Sequence, residues 1–452
     1  MFSKILIANR GEIAVRILRA CRDLGVPAVV AYSEADRETL AVRLADEAIC
    51  IGPAEARRSY LNQPALVSAA LISGCDAVHP GYGFLSEDAG FAEVCAAHDL
   101  HFIGPRAEVL ERFASKYAVR RMLAANGLPT VPGSRGIVSD LNDALAQAEE
   151  AGYPVLLKPS AGGGGRGMRL VRTPREMETS LPLARSEAQA AFGDDSIYFE
   201  KWIEESRHVE VQVLIDQNGH GIHLGERDCS IQRRHQKIIE EGPSPAMTEA
   251  ARERLRDLAI RSVLAAGYES VGTLEFLLDS DGNFYFIEIN CRIQVEHPVT
   301  EAITGVDLIR EQVRLAWGEP LRLRQEQVVF NGHAIEFRIN AEDPNDNFAP
   351  QTGVIEELNL PAGPGVRVDT HLYPGYEVPP FYDSLLAKLI VWGETREDAL
   401  ALGRRALNEF RIGGILTNLP FHRGIVNNPA FLEATVSTNL LDRVGPAAFV
   451  AG

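Results

Sequence analysis

Two alternating runs joined by Asp281-Gly282 constrain this chain more than any other stretch. Asp-Gly between such runs is a strong hairpin signal, because a two-residue type I′ turn needs positive φ at both central positions. If those two residues form the loop, Ser280 pairs with Asn283 and Glu275 falls directly opposite Glu288. Like charges on directly opposite positions repel. A divalent cation between them removes the repulsion, and hard oxygen ligands select magnesium or manganese. Beyond Glu288 the period of two runs on. One face carries Glu288, Asn290, Arg292, Gln294 and Glu296, and the other carries Ile289, Cys291, Ile293 and Val295. This predicts a strand over about 283–296 with one polar and one buried face. Acid, amide, cation, amide and acid in that order suit a metal beside an anion. The competing reading is a solvated face or a ladder of structural ion pairs, since surface charge is common.

The chain opens with a βαβ unit. Lys4–Ala8 is a short apolar run, Gly11–Leu24 carries Ile13, Ile17 and Leu24 on one helical face, and Val29–Tyr32 is a second apolar run. This implies a parallel sheet. The turn Asn9-Arg10-Gly11-Glu12 lacks GxGxxG, which disfavours a dinucleotide site. Phe102 to Pro105 marks a final strand and a boundary, and a helix-rich connector follows to about residue 126. Later segments are strand-dominated: Val209, Val211, Val213 and Ile215 alternate with His208, Glu210 and Gln212, and Ile335, Phe337 and Ile339 alternate with Glu336, Arg338 and Asn340. Helices are expected over 249–265, near 304–317 and near 395–410.

Lys158-Pro159-Ser160-Ala161 leads into Gly162, Gly163, Gly164 and Gly165, then Arg166-Gly167. The run has neither the Gly-Lys-Ser/Thr ending of a P-loop nor a following helix. It lies between strands Val155–Leu157 and Met168–Val171, which read as a hairpin. There it can fold over phosphates and donate backbone N–H groups, with Lys158 reaching a phosphate oxygen. The alternative is a flexible connector, although connectors usually mix in serine. Glu226 to Lys237 packs several cations into an acidic chain and is ambiguous alone: a solvated basic face or an RNA-contacting patch would look the same.

With 452 residues the chain is too long for one core and fits two or three domains. Its formal net charge of −17 opposes a nucleic-acid partner, so the cations that matter act locally on small anions. The six cysteines show no CxxC spacing, which disfavours structural zinc and a disulfide scaffold and fits a reducing cytoplasm. The first ten residues lack a signal-peptide core, and no run of about 18 apolar residues exists to span a membrane.

Six motifs resemble, in order, the biotin carboxylase family of ATP-grasp enzymes. They begin at Arg10-Gly11-Glu12-Ile13-Ala14, at His79-Pro80-Gly81-Tyr82-Gly83, at Lys158, at Arg227-Asp228-Cys229-Ser230, at Arg292-Ile293-Gln294-Val295-Glu296, and at Phe381-Tyr382-Asp383-Ser384. The resemblance covers essentially the whole chain. It implies an α/β plus α+β architecture: an N-terminal Rossmann-like parallel sheet over 1–113, a two-part ATP-grasp domain over 114–330 with a mobile lid at about 130–205, and a β-rich C-terminal subdomain over 331–446. It implies ATP, magnesium or manganese, and bicarbonate, with biotin supplied in trans. The reaction implied is carboxylation of biotin through carboxyphosphate, the first half-reaction of acetyl-CoA carboxylase. The alternatives are the same subunit of another acyl-CoA or pyruvate carboxylase, an ATP-grasp carboxylase of another nitrogen acceptor, and a non-catalytic ATP-binding partner. The implied partners are a biotin carboxyl carrier protein, a separate carboxyltransferase and a second copy of the chain. None of the five methionines precedes a lysine, so no Ala-Met-Lys-Met attachment motif is present and biotin is expected on another chain.

The resemblance also assigns roles. Lys116, Lys158 and His208 match nucleotide-binding positions, with Gly163, Gly164 and Gly165 in the lid loop. Glu200, Lys201 and Ile203 match the hinge that recognises adenine. Gln232, His235, Glu275, Glu288 and Asn290 match the phosphate and metal shell, the last three as metal ligands. Lys237, Arg292, Gln294 and Val295 match the bicarbonate pocket, and Glu296 matches the base that deprotonates bicarbonate. Arg338 matches the residue facing the ureido oxygen of biotin, and Tyr82 and Gly83 match the loop beside it. Lys237, Arg292, Glu296 and Arg338 form the implied catalytic set. The sequence departs from the family pattern at Phe113-Ala114, Pro159, Gly242 and Cys291. Cys291 falls on the apolar face, where only packing is expected to change, and Pro159 biases Lys158 toward an extended strand end.

Overall fold

The computed structural model describes residues 1–161 and 167–450. Gly163, Gly164 and Gly165, expected in the lid loop, lie outside the described residues. Strands β1 (Ile5–Ile7), β2 (Ala28–Ser33), β3 (Glu47–Gly52), β4 (Ala77–His79) and β5 (His101–Phe102) form a parallel sheet in the order β3-β2-β1-β4-β5. The expected helix follows β1 over Gly11–Asp23, and its apolar face (Ile13, Ile17, Leu18) joins the core beneath the sheet. In such sheets ligands bind beyond the carboxyl ends of strands where the order reverses. Here that point lies between β1 and β4, and the loops leaving those strands carry Asn9–Glu12 and Tyr82-Gly83. Asn9 Nδ2 ties the two loops by donating to the carbonyls of Pro80 and Tyr82 at 2.6 and 2.8 Å.

The lid strands β6 (Val155–Pro159), β7 (Arg169–Val171) and β8 (Ile197–Lys201) form a three-stranded antiparallel sheet in the order β7-β6-β8. The expected hairpin is present, and Pro159 ends its first strand. Helices Leu141–Ala151 and Pro174–Phe192 cover this sheet and give it a separate core around Leu157, Met177 and Phe199.

The largest sheet is antiparallel and has eight strands. Six of them are β9 (Arg207–Ile215), β10 (Gly221–Arg233), β11 (Gln236–Gly242), β12 (Ser270–Leu278), β13 (Phe284–Asn290) and β14 (His333–Asn340). The order is β13-β12-β9-β10-β11-β14, followed by strands Leu385–Gly393 and Val366–Thr370. The pairing of β11 with β14 carries this sheet across the boundary expected at 330/331, so the central and C-terminal regions share one sheet.

The Glu275–Glu288 hairpin forms by a route the sequence pattern does not show. The loop is wider than two residues: Asp279 N–H donates to the Asn283 carbonyl at 2.9 Å, and the Asp279 carboxylate accepts from the N–H groups of Asp281 and Asn283. An irregularity between Glu275 and Phe276 then shifts the register by one residue, so Phe276 pairs with Phe286 while Glu275 pairs with Glu288. The two offsets cancel. The strand also ends earlier than expected, at Asn290 rather than near 296. The Cys291 N–H turns to the Glu87 carboxylate at 2.8 Å instead of a neighbouring strand. Pro298 starts a helix, His297–Thr304, where a proline is tolerated because the first-turn N–H has no partner to lose. The helix expected near 304–317 is confined to Leu308–Ala316.

Candidate active site

A cavity of about 650 Å³ lies where the carboxyl ends of β1 and β4 face the large sheet. Its walls come from all three regions of the chain: Tyr82 from the first, Lys237, Glu275 and Glu296 from the second, and Arg338 and Tyr382 from the third.

Register builds the central wall. Glu288 on β13 opposes Glu275 on β12, Glu275 opposes Glu210 on β9, and Glu210 opposes Arg227 on β10. Carboxylates in so close a row require cations. Lys237 Nζ supplies one, donating to Glu275 at 2.8 Å, to Glu296 at 2.6 Å and to Glu210. Arg227, wholly buried, supplies another. Its guanidinium donates to Glu210 at 2.6 Å, to Gln212 and Thr300 at 2.8 Å each, and to Gln294 at 3.1 Å. Glu296 also accepts from Arg338 at 2.8 Å. Burial alone would raise the Glu296 carboxyl, but Lys237, Arg338 and Arg227 outweigh it and hold it well below the usual range. Glu275 is lowered likewise, with Lys237 and His208 overcoming burial.

Arg338 has a second carboxylate, Glu240, which accepts from its Nε at 2.6 Å. Arg292 spans a loop, donating to Glu87 and to the Asn290 amide oxygen at 2.9 Å each. Gln294 and Asn290 both donate to Glu275 Oε1, at 2.8 and 2.9 Å.

The carboxylates fit a hard divalent cation. Glu275 and Glu288 lie on adjacent strands, and each is neutralised by a lysine, Glu275 by Lys237 and Glu288 by Lys116. An ion of charge +2 could replace both cations. Asn290, the third residue expected at the metal, lies beside the two carboxylates, its amide nitrogen donating to Glu275 and its oxygen accepting from Arg292.

The residues expected at the nucleotide sort into two groups. His208 and His235 line the main cavity, and His208 Nε2 lies 3.2 Å from Glu275. His235 and Arg234 occupy the β10–β11 turn with positive φ, as type I′ geometry demands even without glycine. This puts His235 also at the rim of a second cavity, about 500 Å³, lined by Leu156, Met168 and Trp202 beneath the lid. Lys116, Lys158, Glu200, Lys201, Ile203 and Gln232 line neither cavity. Lys158 pairs with Glu200. Lys201 Nζ is occupied by the carbonyls of Gly152 and Tyr153, and Gln232 by that of Cys229. Cys291 joins the apolar cluster with Leu274 and Phe276, as its face in the pattern predicts. At Gly242 a methyl group would approach Val299 Cγ1 to 2.9 Å, which accounts for glycine there.

Three family models match in order: the biotin carboxylase N-terminal domain over residues 1–110, the ATP-binding domain of the carbamoyl-phosphate synthase L chain over 115–324, and the biotin carboxylase C-terminal domain over 336–443. The biotin carboxylase of Nostoc sp. is 53% identical over 443 residues, 98% of this chain and 99% of that protein. The chain belongs to the biotin carboxylase family. It is therefore an enzyme of the ligase class. A crystal structure of Campylobacter jejuni biotin carboxylase in a β,γ-ATP complex superposes with a TM-score of 0.96 at 47% identity, covering 98% of this chain and 99% of that one. The biotin carboxylase domain dimer of Hydrogenobacter thermophilus 2-oxoglutarate carboxylase, solved with MgADP, ADP and bicarbonate, gives 0.95 at 47% identity, covering 99% of each chain.

Four residues at this biotin carboxylase site escape the sequence reading as site members: Glu87, Glu210, Arg227 and Glu240. Arg227 and Glu210 carried a usable signal. Arg227 opens the fourth motif and Glu210 is a charge in the alternating run Val209–Ile215; the structure buries both strands around them, where charges persist only when paired. Glu87 closes the motif that begins at His79, and Glu240 carried no signal, because its partner Arg338 is distant in sequence.

Proposed function

We propose that the chain carboxylates biotin presented on a separate carrier protein, using ATP and bicarbonate, and releases ADP and phosphate. The observation that carries this reading is Glu296 held between Lys237 and Arg338. One carboxylate bridges two cations, one on the side of the phosphate and metal shell and the other on the side of the Tyr82 loop. Because those cations keep Glu296 ionised, it is ready to take a proton from bicarbonate. Lys237 and Arg292 hold the bicarbonate anion while this happens, and Gln294 and the Val295 backbone shape its pocket. Glu275 and Glu288 would hold magnesium, which would spread the charge of the phosphate oxygens. Lys116, Lys158, His208 and His235 surround the phosphates, and Glu200, Lys201 and Ile203 form the adenine hinge beside the cavity lined by Leu156 and Met168. Deprotonated bicarbonate attacks the γ-phosphorus and ADP leaves; the carboxyphosphate so formed breaks down to CO2 and phosphate, and that phosphate takes the ureido N–H proton of biotin, whose nitrogen then attacks CO2. Arg338 then meets the negative charge that develops on the ureido oxygen of biotin, next to Tyr82 and Gly83. The acceptor of the second half-reaction is acetyl-CoA, on a separate carboxyltransferase. The chain acts as a homodimer in the cytoplasm, and light scattering tests the dimer.

Phosphate release with and without free biotin tests the division of labour. Arg338→Ala is expected to keep most bicarbonate-dependent hydrolysis of ATP and to lose stimulation by biotin. Glu296→Ala is expected to lose both, with thermal melts confirming that each variant folds. If Arg338→Ala abolished biotin-independent hydrolysis while melting normally, the assignment of Arg338 to biotin would be wrong.

A further inference from the structure

Two of the six motifs carry charges that this mechanism does not use: Glu12 in the first and Lys388 in the last. Lys388 lies in the apolar strand Leu385–Gly393 and is 0% exposed. A buried ammonium group persists only where its donors are satisfied. Its Nζ donates to the Val295 carbonyl at 2.9 Å and lies 3.1 Å from Glu12 Oε1. The same Glu12 oxygen accepts the Tyr82 hydroxyl. One ammonium group therefore joins the β1 loop, the β4 loop and the segment leading into Glu296. The Val295 carbonyl belongs to the peptide whose N–H is that of Glu296, so a bond to it fixes the plane from which the Glu296 side chain departs. Lys388 is also the cross-strand partner of Arg338.

We propose that Lys388 and Glu12 are positioning residues, Lys388 holding the Val295–Glu296 peptide for bicarbonate and, through Glu12, holding the Tyr82 hydroxyl for biotin. A single ion pair thereby sets the walls for both substrates of the cavity, and these assignments rest on the function proposed above. The contrasting role is plain charge neutralisation, in which Lys388 merely offsets a buried Glu12.

The two roles separate in a pair of variants. Lys388→Met strands the Glu12 charge, and the double variant Glu12→Gln, Lys388→Met removes that charge without restoring the bond to Val295. The readouts are the melting temperature and the KM values for bicarbonate and ATP in biotin-independent phosphate release. The double variant is expected to regain most of the melting temperature lost in Lys388→Met, while its KM for bicarbonate stays raised about tenfold and its KM for ATP stays within about twofold. Recovery of the bicarbonate KM together with stability would overturn the proposal. Should neither variant lacking Lys388 fold, Glu12→Gln alone decides. Loss of the charge-assisted contacts to Lys388 and Tyr82 is expected to raise the KM for bicarbonate and for biotin together, by about fivefold, at an unchanged KM for ATP. Wild-type values for both would overturn it. A wild-type chain with no bicarbonate-dependent phosphate release would instead count against the proposed function.

Discussion

Glu296 and Glu240 hold the same guanidinium, that of Arg338, from two different segments, Glu240 from β11 and Glu296 from the loop after β13, and their carboxyls are shifted in opposite directions. Glu296 has a second cation, Lys237, on its other oxygen, and it is held well below the usual carboxylate range. Glu240 has a second carboxylate instead. After Arg338 the strongest charge acting on it is the Glu296 carboxylate, which raises it, and one of its own oxygens has no hydrogen-bond partner. Burial pushes Glu240 up to about 7, against the pull of Arg338. Both groups are enclosed, so burial does not separate them; the sign of the next charge does. A base that must be ionised sits where cations are in excess. A group that only steadies Arg338 can sit where they are not.

The largest effect expected is at Lys237, which donates a hydrogen bond to Glu296 and makes none to Glu240. Lys237→Met leaves Glu210, Glu275 and Glu296 without their shared cation. Removing one member of a buried ion-pair cluster costs about 3–5 kcal/mol. Urea denaturation at pH 7.5 measures this, and a change under about 1 kcal/mol, the range of a surface pair, would show that Arg227 and Arg338 suffice. Catalysis is expected to be lost in either case, because bicarbonate loses an anchor.

The next effect belongs to Glu240 and reads out in pH. Its carboxyl is raised in the folded chain from 4.5 to about 7. Below pH 4.5 both folded and unfolded chains carry the proton, and its contribution is fully present. As pH rises toward 7 the unfolded chain loses the proton first, so stability falls, by about 3 kcal/mol at most. Glu240→Gln is expected to flatten this part of the profile between pH 5 and 7.5. An unchanged profile would mean that Glu240 is ionised like Glu296 and that the contrast between them is false.

How far this arrangement was legible in the sequence follows from the same residues. Glu275 and Glu288 were placed opposite each other correctly, but only because a wider turn and a bulge offset each other, and no local pattern encodes a bulge. Polar alternation past Asn290 was real as a list of site residues and wrong as a strand. Those side chains reach the cavity from a loop tied down by Glu87, 204 residues from Cys291. The family motifs supplied Lys237, Arg292, Glu296 and Arg338, and the cavity contains all four. Lys388 was visible as a lone charge in the run Leu385–Val391, yet its partners, Glu12 and the Val295 carbonyl, come from regions that only the fold brings together.

The smallest effect expected is at Glu336, and it tests the basis of the comparison most directly. Both Glu336 oxygens are buried without a hydrogen-bond partner, although Lys388, Glu240, Arg338 and Glu296 are all near enough to act on it. Burial is the largest influence, Lys388 and Arg338 oppose it, and Glu240 and Glu296 reinforce it. The carboxyl is accordingly raised well above its ordinary value, which favours the uncharged acid. Glutamine has the shape and neutrality of that acid, so Glu336→Gln is expected to change stability at pH 7 by only about 1 kcal/mol or less. Biotin-stimulated phosphate release should stay near wild type, since Arg338 keeps both of its carboxylates. An ionised Glu336 would behave differently. Glutamine would then remove an uncompensated buried charge and stabilise the chain by several kcal/mol, roughly the penalty such a charge carries, increasingly so at higher pH. Urea denaturation of both chains at pH 6 and pH 8 separates the cases. A marked stabilisation at pH 8 would show that Glu336 is ionised and uncompensated, and that burial does not decide its charge.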